Sequence, residues 1–479
     1  MHSTWQKIAL GLLAVLWTWQ AAAALPPAVA QALDQAGVSP EHVALLVAPV
    51  NPAGSDAGAG GPRLAWRTGV PMNPASVMKL VTTYAALDTL GPGWFWKTRV
   101  YVDGEIRNGT LHGDLIVQGS GDPKLVVERL QALIAAIRDK GVHHIQGDIL
   151  LDASVFDVPP HDPAAFDGEP LRPYNVGPSG LLVNFKALVL KFFPDAAAGT
   201  VRVESEPPLL GVSIPTHIAA ARGACGAWHD KLAASFADPA HVRLAGQYPL
   251  SCGEREWAVA WPDPDSFAPR AFAALWRAAG GTLAGQARWS PPVQPARLLV
   301  TGYSLPLTEI IADINEYSNN VMAQQLFLTL SAANGSAGSL AGSTATVQQW
   351  WQQRFGRLEA PVLDNGSGLT RTGRISADAL AAILQDAARG PNAGHFERSL
   401  PIAGVNGTVR HLARRVPDSP AIGQARLKTG SLRDVAAIAG YAWGRSGRQY
   451  VVVGLINDER APAARAALYR LVEWAVLDD

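Results

Sequence analysis

The chain has 479 residues, with 40 Lys plus Arg balancing 40 Asp plus Glu, which gives nucleic acid no electrostatic footing as a partner. That length exceeds one ordinary core and implies two or three domains, while 46 glycines and 35 prolines imply many turns. The 11 histidines include no His-Glu-x-x-His run and no acidic cluster has metal-ligand spacing, so no metal and no other cofactor is expected.

Residues 1–7 are mostly polar, 8–19 almost wholly apolar, and Ala22-Ala23-Ala24 precedes Leu25-Pro26-Pro27. This is the pattern of a secretory signal peptide over 1–24, cleaved after Ala24. The apolar run is short for a membrane span; an uncleaved anchor is the alternative. The chain's last residues carry Glu473, Asp478 and Asp479 and lack the lysine-rich face of an interfacial helix, so no stable membrane anchor is expected. In an oxidising compartment Cys225 and Cys252 can close one local disulfide, the alternative being two buried thiols.

A helix is expected over 26–36, a strand over 43–50, a hairpin loop over 51–61, a second strand over 64–67 and a helix over 76–90 stopped by Gly91-Pro92-Gly93. The character then changes. Short strands, a helix over 127–140, a proline-rich loop over 159–178 and further strands fill 96–295, read as a mainly β insert expected to comprise two modules. Helices over 306–318 and 321–330 follow, then a small-residue surface loop over 331–343, helices over 344–355 and 377–387 (with Ser376 as N-cap), strands over 423–431, 435–443 and 450–456, and a closing helix over 462–476. Two early strands and three late ones predict one antiparallel five-stranded sheet flanked by helices. The fold class is α+β, with 25–95 and 296–479 forming one domain around the insert.

Three short motifs carry the chemistry. Ser76 and Lys79 are three apart, so a helix places them on one face. Among Val77, Met78 and Leu80, the amine can lose its proton and serve as a base for the hydroxyl. Ser318-Asn319-Asn320 offers a hydroxyl and an amide at a helix junction. Lys428-Thr429-Gly430, followed by Ser431, lies on a strand, where the lysine and hydroxyls can bind an anion and the glycine lets a ligand backbone come close. Each match alone is cheap; the set in this order, each on its expected helix, loop or strand, is the pattern of serine β-lactamases and penicillin-binding proteins.

The interval of 242 positions from Ser76 to Ser318 leaves no room for a compact β-lactamase. The chain resembles the low-molecular-mass class C penicillin-binding proteins of the DacB type, a D-alanyl-D-alanine carboxypeptidase/endopeptidase family with a large insert after the nucleophile helix. Gly119-Ser120-Gly121-Asp122-Pro123, Tyr174-Asn175, Val183-Asn184-Phe185, Asp364-Asn365-Gly366-Ser367-Gly368-Leu369 and Arg374-Ile375-Ser376 carry the resemblance further. It implies a periplasmic hydrolase of peptidoglycan peptides that β-lactams inhibit covalently; no oligomeric state is assigned. Chemistry and the resemblance together assign Ser76 as nucleophile, Lys79 as its base, Ser318 as proton relay to the leaving amine, and Asn320 as the holder of Lys79 and of the acyl side-chain amide. Lys428 supplies positive potential, Thr429 and Ser431 bind the terminal carboxylate, and the backbone N–H groups of Ser76 and Ser431 form the oxyanion hole. The family often places an acidic residue of the insert near the site; Asp167 and Glu169 are the candidates. A catalytically silent peptidoglycan-binding protein and a β-lactamase- or esterase-like hydrolase are the rival readings.

Overall fold

The computed structural model describes residues 24–50, 61–292 and 297–478. The signal segment through residue 23, most of the expected 51–61 hairpin loop and the expected boundary at 295/296 lie outside the described residues.

The five-stranded sheet forms from both ends of the chain. Its order is Ala425–Leu432, Val435–Trp443, Gln449–Asn457, Val43–Pro49, Leu64–Trp66, and every neighbouring pair is antiparallel. The three central strands read as almost wholly apolar because both faces are covered. Side chains alternate across a strand, and Ala44, Leu46, Ala437, Ala439, Val451 and Val453 bury against the helices Lys79–Leu90, Leu307–Tyr317, Asn320–Ala332 and Ala377–Arg389. The intervening Val43, Leu45, Val47, Ile438, Val452 and Ile456 bury against Pro27–Ala36 and Arg465–Val476. Among the described residues no helix is long and apolar enough to cross a membrane.

The insert holds two larger sheets. One runs Gln247–Pro249, His217–Ala221, Thr200–Glu206, Ala187–Asp195, Arg255–Ala260; the other has seven strands built on the hairpin of Lys97–Arg107 and Thr110–Gln118. Both feed a single cluster of buried side chains with the helices Val127–Asp139 and Pro264–Ala278. Cys225 and Cys252 are joined by a disulfide, their Cα atoms 4.8 Å apart, and it packs on the edge of that cluster.

Three local expectations change. The strand Arg297–Tyr303, assigned by sequence to the segment after the insert, pairs antiparallel with Lys97–Arg107 and so completes the insert's sheet. The last of the further strands expected within 96–295, read as one over 283–289, is two short ones, Thr282–Leu283 and Ala287–Trp289. A Cβ on the intervening Gly285 would lie 2.5 Å from the Gly147 carbonyl oxygen; backbone approaches backbone at that break. The loop expected over 331–343 is shorter, because the next helix starts at Leu340. Residues 333–337 form the exposed loop that was expected, while Ser331 and Ser343 fall in the flanking helices, where both are buried and their hydroxyls meet at 2.8 Å.

Candidate active site

The stretch holding Ser76, the candidate nucleophile, begins with a single 3-10 turn, Ala75–Met78, that runs into the helix Lys79–Leu90. Ala75 has φ +47°, a left-handed conformation that is unfavourable for a residue with a Cβ. Asn73 holds it there: its Oδ1 accepts the Ala75 N–H at 2.8 Å, and the Asn73 N–H is itself held by Asn457 Oδ1 at 2.8 Å. Ala75, Val77 and Met78 are buried, leaving Ser76 as the partly exposed member of the turn.

Lys79 is fully buried. Its Nζ lies 3.0 Å from Ser76 Oγ, 2.7 Å from Asn320 Oδ1 and 2.6 Å from the Ser367 carbonyl oxygen. Two of those partners can only accept. The orientation of the Asn320 amide is fixed because its Nδ2 donates to the Tyr174 carbonyl at 3.0 Å. A neutral amine therefore spends its two N–H bonds on Asn320 and Ser367 and directs its lone pair at the Ser76 hydroxyl. The electrostatics favour that state: burial, and then the charge of Lys428, hold the Lys79 amine well below its ordinary range.

The second lysine repeats the arrangement. Lys428, on the edge strand Ala425–Leu432, is also fully buried, and its Nζ donates to Ser318 Oγ and to the Thr429 carbonyl, each at 2.8 Å. Burial lowers it to about 7. Ser318 ends the helix Leu307–Tyr317 in a left-handed conformation, φ +58°. Asn319 then caps the next helix by accepting the Met322 N–H, which makes Asn320 that helix's first residue. The junction thus turns Ser318 toward Lys428 and Asn320 toward Lys79.

Gly430 differs from expectation. A Cβ there would stand 2.3 Å from the Pro74 carbonyl oxygen and 3.1 Å from the Ser76 nitrogen. The missing side chain lets the strand pack on the nucleophile turn; the space is filled by this chain's own backbone. The Ser76 nitrogen consequently lies beside the backbone that leads into Ser431. The Thr429 hydroxyl donates to Thr408 Oγ1 at 2.8 Å, and Ser431 Oγ accepts from Arg465 at 3.0 Å.

The insert reaches the site through the turn Pro173–Asn175. Asp167 accepts from the Tyr174 hydroxyl at 2.9 Å and from Asn175 Nδ2 at 2.7 Å, so it fixes the turn whose Tyr174 carbonyl receives the Asn320 amide. Although burial works the other way, these hydrogen bonds and one from the Glu169 N–H hold its carboxyl below the usual range. The Glu169 side chain instead pairs with exposed Arg172. A cavity of about 550 Å³ opens beside the centre, between the 158–166 loop and Gln324, Asp364, Thr370 and Arg371. Sequence reasoning missed four partners: the Ser367 and Tyr174 carbonyls, Thr408 and Arg465. The first two act through backbone and carry no side-chain signature, though both sit in motifs that carried the resemblance, Asp364–Leu369 and Tyr174-Asn175.

The model of the D-Ala-D-Ala carboxypeptidase 3 (S13) family matches residues 51–476. The chain belongs to that family. The D-alanyl-D-alanine carboxypeptidase of Actinomadura sp. (strain R39) is 27% identical over 437 residues, covering 84% of this chain and 77% of the relative. The D-alanyl-D-alanine carboxypeptidase DacB of Haemophilus influenzae is 25% identical over 397 residues, covering 81% and 80%. The fold is that of penicillin-binding protein 4 (dacB) from Haemophilus influenzae. Its crystal structure aligns with a TM-score of 0.71 at 22% identity over 92% of this chain and 97% of that one, and its complex with a β-lactam aligns at 0.68. The S13 family and the alignment along most of the chain agree with the resemblance drawn from the motifs.

Proposed function

We propose that the protein is an exported serine-type D-alanyl-D-alanine carboxypeptidase, with endopeptidase activity on cross-linked stem peptides, and that β-lactams acylate the same serine. One observation carries the reading: a buried lysine with two obligate acceptors and one serine hydroxyl around its nitrogen. Lys79 takes the Ser76 proton as Oγ bonds to the carbonyl carbon of the penultimate D-alanine. The N–H groups of Ser76 and Ser431 receive the developing oxyanion. As the C–N bond breaks, Ser318 passes a proton to the departing amine. Lys428, with Thr429 and Ser431 beside it, receives the terminal carboxylate, and water then hydrolyses the acyl-enzyme. Asp167 acts at one remove by setting the Tyr174 carbonyl that orients Asn320. In this reading the catalytic domain comprises residue 25 to about 96 and about 304 to 479, the strand at 297–303 going with the insert, and the compartment is the periplasm.

The test is intact-protein mass after benzylpenicillin, with peptide mapping of the adduct. The expected result is one adduct on Ser76 and none in Ser76→Ala. Attachment elsewhere overturns the assignment, and absence of any adduct favours a silent peptidoglycan-binding protein. Product masses from pentapeptide monomers and cross-linked dimers then separate the two peptidase activities, and a faster rate on a chromogenic cephalosporin than on either would favour the β-lactamase-like reading.

A further inference from the structure

A second cavity, of about 450 Å³, lies on the other side of the 158–163 loop from the one beside the catalytic centre, and none of the catalytic side chains lines it. Its walls are Phe156, His161, Trp261, Trp289 and several prolines, and two charged side chains stand in them, Lys186 and Asp265. The lysine is underemployed. Its Nζ has one acceptor, the Pro178 carbonyl, at 3.5 Å, the outer limit of a hydrogen bond, and among the described residues it forms no ion pair. Burial lowers its amine to about 8 against the opposing pull of Asp265. The backbone is bent to put it there: Asn184, Phe185 and Lys186 have φ of +43°, +56° and +49° in succession, and consecutive left-handed residues with a Cβ persist only where the surroundings enforce them. Asp265 stands at the exposed rim. Its backbone carbonyl accepts the Trp289 indole N–H at 2.6 Å, while its carboxylate has no hydrogen-bond partner among the described residues.

A buried cation short of acceptors, a rim carboxylate without a donor and apolar rings between them describe a complementary ligand. We propose that this cavity is a second binding site, separate from the catalytic centre, for a short zwitterionic peptide whose carboxylate meets Lys186 and whose ammonium meets Asp265. The rings and prolines cover its apolar body, and the rigid walls limit the ordering cost of binding.

Calorimetric titration of the full mature chain carrying Ser76→Ala, which blocks turnover, tests this with D-alanyl-D-alanine as the probe. The expected isotherm contains a component that Lys186→Met weakens at least tenfold and Asp265→Asn weakens several-fold. N-acetyl-D-alanyl-D-alanine, which lacks the ammonium, should lose that component while keeping any binding at the catalytic centre. Free D-alanine, too short to fill the volume, should bind at least tenfold more weakly; equal affinity overturns the peptide assignment. Folding of each variant is checked by penicillin labelling and thermal melting in the Ser76 background. An isotherm unchanged by Lys186→Met, or indifferent to acetylation, overturns the proposal. Failure of the catalytic reading alone would leave the Lys186-dependent component in place, so the two outcomes are distinguishable.

Discussion

The charge on Lys428 should make substrate selection depend on pH in a way that one ratio isolates. Its amine is held at about 7 by burial, so the free enzyme carries the charge on about nine-tenths of molecules at pH 6 and about one-hundredth at pH 9. A hydrogen bond to a charged partner contributes about 1.5–3 kcal/mol, or roughly 10- to 150-fold in kcat/KM. The proposed role therefore predicts that a peptide ending in free D-Ala-D-Ala is preferred over its C-terminal amide by that factor at pH 6. The preference should fall about tenfold per pH unit above 7 and approach unity by pH 9. Taking the ratio cancels the titration of Lys79, which both substrates need neutral, and kcat/KM reports groups of the free enzyme. Steady-state assays on the two peptides from pH 6 to 9 give the answer. A ratio that stays flat, or that rises with pH, would refute the assignment of Lys428 as the carboxylate's partner.

Three further outcomes follow from the same geometry. Lys428 binds fewer protons folded than unfolded between about 7 and its ordinary 10.5, so the penalty for burying it is full below 7 and is relieved as pH rises; Lys428→Met should improve stability more at pH 6 than at pH 9, by about 2–3 kcal/mol, measured as denaturant midpoints at the two values. Gly430→Ala should abolish penicillin labelling and lower the melting temperature, because its Cβ would stand 2.3 Å from the Pro74 carbonyl oxygen and would push the strand off the nucleophile turn. Replacing Cys225 and Cys252 by serine reopens a loop of sequence separation 27; chain entropy puts the loss at about 3–4 kcal/mol, and calorimetry should find it in the insert with acylation by penicillin retained.

The sequence displayed the sheet because its strands are buried on both faces: runs such as Val451–Ile456 are apolar at every position, and the two early and three late strands could be assigned to one domain before any pairing was known. It displayed the candidate site because Ser76, Lys79, Ser318, Asn320 and Lys428, which the fold brings together, sit in motifs whose residue types suggest the chemistry. It concealed what depends on backbone. The Ser367 and Tyr174 carbonyls that fix the Lys79 proton inventory could belong to any residue type, and the Pro74 carbonyl that demands glycine at 430 is visible only after 355 intervening residues have folded. The limits of the insert were hidden for a related reason. Arg297–Tyr303 has a strand's composition, and only its pairing with Lys97–Arg107 says which sheet it joins.

The two serine–lysine pairs look alike in composition and in distance, 3.0 Å for Lys79–Ser76 and 2.8 Å for Lys428–Ser318, yet they cannot be interchanged. Both lysines are fully buried, and two charges in one desolvated site repel, so the first proton leaves more easily than either would alone and its loss makes the second harder to remove. What decides the order is the asymmetry of the electrostatics. Lys79 feels the charge of Lys428 in addition to burial, and once neutral it can still satisfy its two obligate acceptors. Lys428 is lowered by burial alone. The state with Lys79 neutral and Lys428 charged is therefore the one reached first on raising the pH from acid. It is also the state that acyl transfer from a carboxylate-bearing substrate requires, because the base and the anion-binding cation are then present together. The opposite state, Lys79 charged and Lys428 neutral, would carry the same net charge with the base beside the wrong hydroxyl.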